Sequence, residues 1–290
     1  MDKDIASPII IIGMHRSGTS LITRLLRSCG VFMGEKFGIN DEAFFFQKIN
    51  SWVLKQVGGR WDNPEVYKYA NEELKNNIIS FVRNYIDSYN LIEYLGLKNY
   101  VKYKHINQVD FMWGWKDPRT SITLDLWDKI FPNAHIINVY RNPIDVAYSL
   151  FIREGKLDKA RKTNYSKKVY DPLILKKDGM FQMSPRCHNI DECFCLWKYY
   201  VDSIIDFERR SNKKIINIKY EDLLESPKKV FDVVLDDLPD KYMNSVDYKS
   251  LEYIDANRKY AFLADDELIK IYNKYRGDET VRKLGYSEII

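Results

Sequence analysis

The chain has 290 residues, 45% of them hydrophobic, which supplies a substantial core and excludes a disordered polymer. Its 45 basic residues against 41 acidic ones leave a formal charge of +4, too even a balance to point to nucleic acid. The length suits one large α/β domain over 1–290 better than two equal halves. Met1 to Ser7 shows no basic stretch leading into an apolar one, as a secretory leader would, and no apolar run approaches the about 18 residues of a membrane helix. A soluble cytoplasmic protein without an integral membrane segment is therefore the expectation.

Pro8–Ile12 is short, apolar and β-branched, the pattern of a buried parallel strand. A glycine loop, Gly13 to Gly18, separates it from Thr19–Cys29, whose Leu21, Ile22, Leu25 and Leu26 have helical spacing, with Gly30 as the stop. Helices are expected over Asp41–Val57 and Asn71–Leu95. A second strand is expected at Phe111–Trp115, a helix at Thr120–Ile130, a third strand at Ala134–Tyr140, and a helix from Pro143 to about Arg153. Residues 154–188, rich in Lys, Gly and Pro, read as a mobile insertion or lid. A long helix over Ile190–Arg210, a strand at Lys214–Lys219 and a mostly helical remainder complete the pattern. Strands alternating with helices imply a parallel sheet flanked by helices.

Four cysteines occur, Cys29, Cys187, Cys193 and Cys195, too few for a disulfide scaffold in a chain of this length. Cys193 and Cys195 stand only two apart and lack the paired Cys-x₂₋₄-Cys spacing of zinc sites, so no metal is expected.

The segment Gly13-Met14-His15-Arg16-Ser17-Gly18-Thr19-Ser20 has the glycine spacing of a nucleotide phosphate loop, with a strand before it and a helix after. Such a loop aims backbone N–H groups at an anion, and the helix start adds favourable partial charge. The position of the usual lysine holds Thr19, which argues against a nucleoside-triphosphate enzyme. The cation is Arg16 instead, whose guanidinium forks onto phosphate or sulfate.

Arg16-Ser17-Gly18-Thr19-Ser20 resembles the 5′-phosphosulfate loop of sulfotransferases that use 3′-phosphoadenosine 5′-phosphosulfate (PAPS). The resemblance implies an α/β sulfotransferase fold, a donor-binding role for His15 through Ser20, and contact of Arg16 with the bridging oxygen. A second match joins Arg141, at a strand end, to Ser149 eight residues on. In the family these positions hold the donor's 3′-phosphate. A third, Trp115-Lys116-Asp117-Pro118-Arg119, resembles tyrosylprotein and bacterial sulfotransferases and would turn Lys116 toward the sulfate. Tyr220-Glu221-Asp222-Leu223 resembles a further feature of structural character, and Arg258-Lys259 matches a basic C-terminal segment that adds phosphate contacts. The resemblance covers most of residues 8–235.

Sulfuryl transfer asks for positioning and preorganised positive charge, which assigns Arg16 and Lys116 to the reacting bond. The acceptor hydroxyl or amine must lose a proton to a base, and Glu35, Asp41, Glu42 and His15 are the candidates. A histidine just after Lys116, as many cytosolic members have, is replaced by Asp117-Pro118. The aromatics at 44–61 suit either the core or stacking on sugar rings and other flat groups, so a carbohydrate is one candidate acceptor. PAP would be the product, and no metal is required. The competing readings are a small-molecule kinase and a non-catalytic PAP- or phosphate-binding protein. The oligomeric state is not determined by the sequence.

Overall fold

The computed structural model describes residues 7–38, 40–169, 184–238 and 256–290. Among these the elements run β1 (Ile9–Ile12), α1 (Thr19–Ser28), α2 (Phe44–Lys55), α3 (Glu72–Ile86), α4 (Ile92–Tyr103), β2 (Gly114–Lys116), α5 (Leu124–Ile130), β3 (His135–Tyr140), α6 (Pro143–Val169), α7 (Ile190–Ser211), β4 (Ile215–Lys219), α8 (Tyr220–Glu225), α9 (Pro227–Asp236), α10 (Asp266–Tyr275) and α11 (Glu279–Lys283). The four strands form one sheet in the order β2-β1-β3-β4, every pair parallel. The α/β architecture expected from the alternation of elements is the one observed.

The chain makes two compact units, the first from residues up to Arg141 with Tyr200–Tyr260, the second from Asn142–Tyr199 with Ala261–Ile290. The first holds the sheet. Alternate residues of its strands, Ile9 and Ile11, Ile137 and Val139, Ile216 and Ile218, pack with Ile22, Leu25 and Leu26 of α1 and with Leu223, Phe231 and Val234 of α8 and α9. Side chains alternate across a strand, so the neighbouring positions line the opposite face. There Trp115 of β2 stacks on Phe46 of α2, with ring centroids 4.0 Å apart and planes 7° apart, and Trp127 of α5 closes in at 4.8 Å.

The second unit has its own core. Phe194 of α7 stacks on Tyr275 of α10 at 3.8 Å, and Phe262 stacks on Tyr272 at 5.1 Å. Asp191 ties α7 to α10 through Lys274 at 2.9 Å and the Tyr275 hydroxyl at 2.8 Å. Asn142 caps α6, its Oδ1 accepting from the amides of Ile144 and Asp145 at 2.9 and 3.3 Å.

Five stretches depart from the sequence pattern. The strand expected at Phe111–Trp115 is Gly114–Lys116, and the helix expected from Thr120 begins at Leu124, after a 3₁₀ turn at Pro118–Ser121. The helix expected over Asn71–Leu95 is two, because Ser88 turns the chain with its hydroxyl accepting from the Asn90 amide at 3.2 Å. The helix expected from Asp41 begins at Phe44, since Asp41 sits at φ 58°, outside the helical region. Of the expected insertion at 154–188, residues 154–169 continue α6, Arg186–His188 form a single 3₁₀ turn, and 170–183 lie outside the described residues.

No helix among the described residues is long and apolar enough to cross a membrane.

Candidate active site

In an open parallel sheet, ligands gather at the carboxyl ends of strands where the winding order reverses. Here that point is β1 and β3, neighbours in register from Ile9↔His135 to Ile12↔Asn138. The glycine loop leaves β1, and Arg141 follows directly on β3.

The loop carries three residues at positive φ, Gly13 at 133°, Arg16 at 72° and Gly18 at 95°. Arg16 is exposed while His15 and Ser17 on either side are buried. The Ser17 hydroxyl is buried with no hydrogen-bond partner among the described residues. Thr19, in the lysine position of nucleotide loops, is the first residue of α1 and is buried. Gly18 must stay small for a second reason: a Cβ there would overlap the ring of Tyr220, the first residue of α8. The same ring lies under the Arg141 guanidinium, 4.8 Å from its centroid, and Arg141 Nη2 donates to the Arg258 carbonyl at 2.9 Å. One tyrosine thus packs against both the glycine loop and the arginine after β3.

Lys116 ends β2, level with Ile11 of β1. Its ammonium donates to the Asn40 carbonyl and faces Glu42 Oε1 at 3.4 Å. Ser20 at the start of α1 donates to the same Asn40 carbonyl at 2.7 Å, which ties the lysine to the end of the glycine loop. Glu42 accepts a second bond on Oε2, from Gln47 Nε2 at 2.6 Å. Burial lowers the Lys116 pKa, and the charges of Glu42 and Asp117 oppose that shift. Asp117, fully buried, is pushed up by desolvation against the pull of Arg119. It accepts from Arg119 Nη1 at 3.3 Å and from Asn50 Nδ2 at 2.9 Å. Asn50 Oδ1 accepts in turn from Trp127 Nε1 at 2.8 Å and Thr123 Oγ1 at 2.9 Å. This network pins the end of β2 to α2 and α5.

Of the four candidate bases, the structure brings Glu42 to Lys116. Asp41 is engaged by Arg24 at 2.9 Å and Arg27 at 3.5 Å, both on α1. Glu35 is exposed, its carboxyl beside Gly96 of α4. The His15 ring packs edge-on to Trp61 and Tyr200, with centroids 5.0 and 6.0 Å away. Ser149 is half-buried on α6 in the second unit.

A sulfotransferase family model matches residues 8–239. The chain belongs to the sulfotransferase family. No curated protein sequence matches it. Similar solved structures include the sulfotransferase domain of the Synechococcus PCC 7002 olefin synthase, with 17% identity, 92% of this chain and 88% of that one covered, and a TM-score of 0.39. Sulfotransferase STF9 of Mycobacterium avium has 14% identity, coverage of 94% and 77%, and a TM-score of 0.42. Sulfotransferase STF1 of Mycobacterium tuberculosis H37Rv has 11% identity with the same coverage and TM-score. Among the described residues of this sulfotransferase, no group of three or more His, Cys, Asp or Glu side chains could hold a metal ion. Cys187 and Cys193 are buried, and Cys195 is exposed.

Sequence reasoning overlooked two residues that the structure packs against the candidate site. Gln47 bonds Glu42 from one turn into α2, and nothing in its spacing from Glu42 marks it. Tyr220 read as merely structural, and only its contacts with Gly18 and Arg141 connect it to both the glycine loop and the arginine after β3.

Proposed function

We propose that this sulfotransferase moves a sulfuryl group from PAPS to a hydroxyl or amine of an acceptor and releases PAP. The observation that carries this reading is the buried Lys116–Glu42 pair, tied through Asn40 to the first turn of the helix that follows the Arg16 loop. A cation for the leaving oxygen and a carboxylate for the acceptor proton stand together at the end of β2.

Arg16 and the Ser17 hydroxyl bind the 5′-phosphosulfate, Ser17 gaining a partner where it has none among the described residues. Arg141, braced by the Arg258 carbonyl and the Tyr220 ring, takes the 3′-phosphate. The acceptor oxygen or nitrogen forms its bond to sulfur as the bond from sulfur to the bridging oxygen breaks. Negative charge grows on the bridging oxygen, where Arg16 and Lys116 stabilise it. The acceptor's proton passes to Glu42, which Gln47 and Lys116 hold by its two oxygens.

A thermal-shift series and an acceptor screen test this. PAP should raise the melting temperature by mass action, since it binds only the folded state. Radiolabelled PAPS should then label an acceptor equally with and without a chelator. An unmoved melting temperature at millimolar PAP, with a rise from ATP and magnesium, would overturn the reading in favour of a kinase.

A further inference from the structure

The second unit holds a pair of thiols that the proposed transfer does not use. Cys187 lies in the 3₁₀ turn Arg186–His188, and Cys193 lies in the first turn of α7. Both are 0% exposed. The backbone sets them together. The Cys187 amide donates to the Ser184 carbonyl at 3.2 Å, the Asn189 amide to the Arg186 carbonyl at 3.2 Å, and the Cys193 amide to the Asn189 carbonyl at 3.0 Å. The Asn189 side chain caps α7, accepting from the Asp191 and Glu192 amides at 2.8 and 3.3 Å. On this frame Cys193 Sγ reaches the Cys187 carbonyl at 3.7 Å, and the two thiols hydrogen-bond each other. The other two cysteines differ. Cys29 is buried at the end of α1 in the first unit, and Cys195 is exposed, turned about 200° around α7 from Cys193.

The contact also sets the thiols apart chemically. The hydrogen bond from Cys193 holds Cys187 below the ordinary thiol range against the effect of burial, with help from Ser184 and the Arg153 guanidinium. The same bond and burial push Cys193 up. A sulfur that ionises readily thus touches one that stays protonated, so an attacking thiol already has its resolving partner. We infer that Cys187 and Cys193 form a redox-active dithiol that a small hydroperoxide converts to a disulfide. Burial favours an oxidant close to water in size over a bulky disulfide. The Cys187 thiolate attacks one peroxide oxygen, the O–O bond breaks, and Cys187 becomes a sulfenic acid. The departing oxygen takes up the Cys187 proton, and with hydrogen peroxide it leaves as water. Cys193 sulfur then attacks Cys187 sulfur. The S–S bond forms, the S–O bond breaks, and a second water carries away the Cys193 proton. Two thiols are oxidised and one peroxide is reduced. The bridge joins the turn that packs on α6 to α7. The inference does not depend on which sulfuryl donor the enzyme uses.

Peptide mapping of the full chain tests it. The reduced protein is treated with hydrogen peroxide under native conditions, and free thiols are blocked with N-ethylmaleimide at intervals. The unreduced digest is then read by mass spectrometry. A peptide bridging Cys187 to Cys193, lighter by two hydrogens, should appear about tenfold faster than oxidation of the exposed Cys195, because the resolving thiol is in place. Dithiothreitol should restore both thiols. In Cys193→Ser the sulfenic acid has no resolving thiol, and dimedone should trap it on Cys187. The wild-type map needs no variant, so it decides the matter even where Cys193→Ser folds poorly. A wild type in which Cys187 and Cys193 remain alkylatable after peroxide has fully oxidised Cys195 would overturn the inference. So would a disulfide that runs through Cys195.

Discussion

The Lys116 ammonium and the Glu42 carboxylate face each other at 3.4 Å with side chains only 2% and 7% exposed. A pair so desolvated is costly to form and costlier to break, because removing one member strands the other's charge. The pair therefore has consequences for both stability and chemistry.

Lys116→Met should destabilise the protein by about 3–5 kcal/mol, since Glu42 is left buried without its counter-charge. The double variant Lys116→Met with Glu42→Leu should return stability to the wild-type level or above. Urea unfolding of the three proteins measures this. A double variant as unstable as the single would show that the cost lies in packing and not in charge.

The pH dependence follows from the direction of the lysine's shift. In the proposed reaction Lys116 stabilises the leaving oxygen only when protonated, and burial sets its pKa below the free value of 10.5. Transfer should therefore fall as pH rises through that lowered value. Lys116→Arg stays charged, so it should lose that alkaline limb. The stability term has the opposite slope. Between the lowered folded pKa and 10.5 the unfolded chain binds the extra proton, so this lysine's contribution to stability rises with pH there. Single-turnover rates with saturating PAPS across the alkaline range read the first effect. An alkaline limb unchanged in Lys116→Arg would assign it to another group.

Gly18→Ala meets two obstacles, a backbone at φ 95° and the Tyr220 ring where the Cβ would go. Gly58 also has a positive φ, 70°, but a Cβ there meets nothing within 4 Å. Gly58→Ala should cost about 1 kcal/mol of stability and leave PAP binding intact. Gly18→Ala should abolish the stabilisation by PAP. Thermal shifts of both variants with and without PAP make the comparison, and equal PAP responses would remove the loop conformation from donor binding.

Arg141→Ala should weaken donor binding by about 1.5–3 kcal/mol, the worth of a charge-assisted fork. The loss should appear in the KM for PAPS and largely vanish with a donor that lacks the 3′-phosphate. Tyr220→Leu removes the ring beneath Arg141 and should cost about 0.5–1 kcal/mol in the same assay. Equal losses with both donors would detach Arg141 from the 3′-phosphate.

Phe46→Ala should cost about 3–5 kcal/mol, because its ring is fully buried against Trp115 and Trp127. Denaturant unfolding measures this, and a loss below 1 kcal/mol, roughly the cost of a single methylene, would mean that the site repacks.

Local pattern was enough for β1, β3 and β4, for the loop between β1 and α1, and for the cation inside that loop, while β2 lies at Gly114–Lys116 and not at Phe111–Trp115. Those features depend on neighbours in sequence: β-branched runs, glycine spacing, and an apolar stripe at helical period. Which of Glu35, Asp41 and Glu42 would meet Lys116 was not legible, because the three acids look alike within an irregular stretch of chain. Tertiary contacts separated them. Arg24 and Arg27 engage Asp41, Glu35 lies beside Gly96, and Glu42 is buried against Lys116. The aromatics at 44–61 posed the same problem, core or surface, and only the packing of Phe46 on Trp115 and of Trp61 on His15 divided them. Sequence by itself determined where the glycine loop after β1 stands and what charge it carries, since backbone conformation and residue type are local. The identity of the carboxylate opposite the lysine was decided by the fold alone, because an ion pair between residues 42 and 116 exists only once α2 is packed against the end of β2.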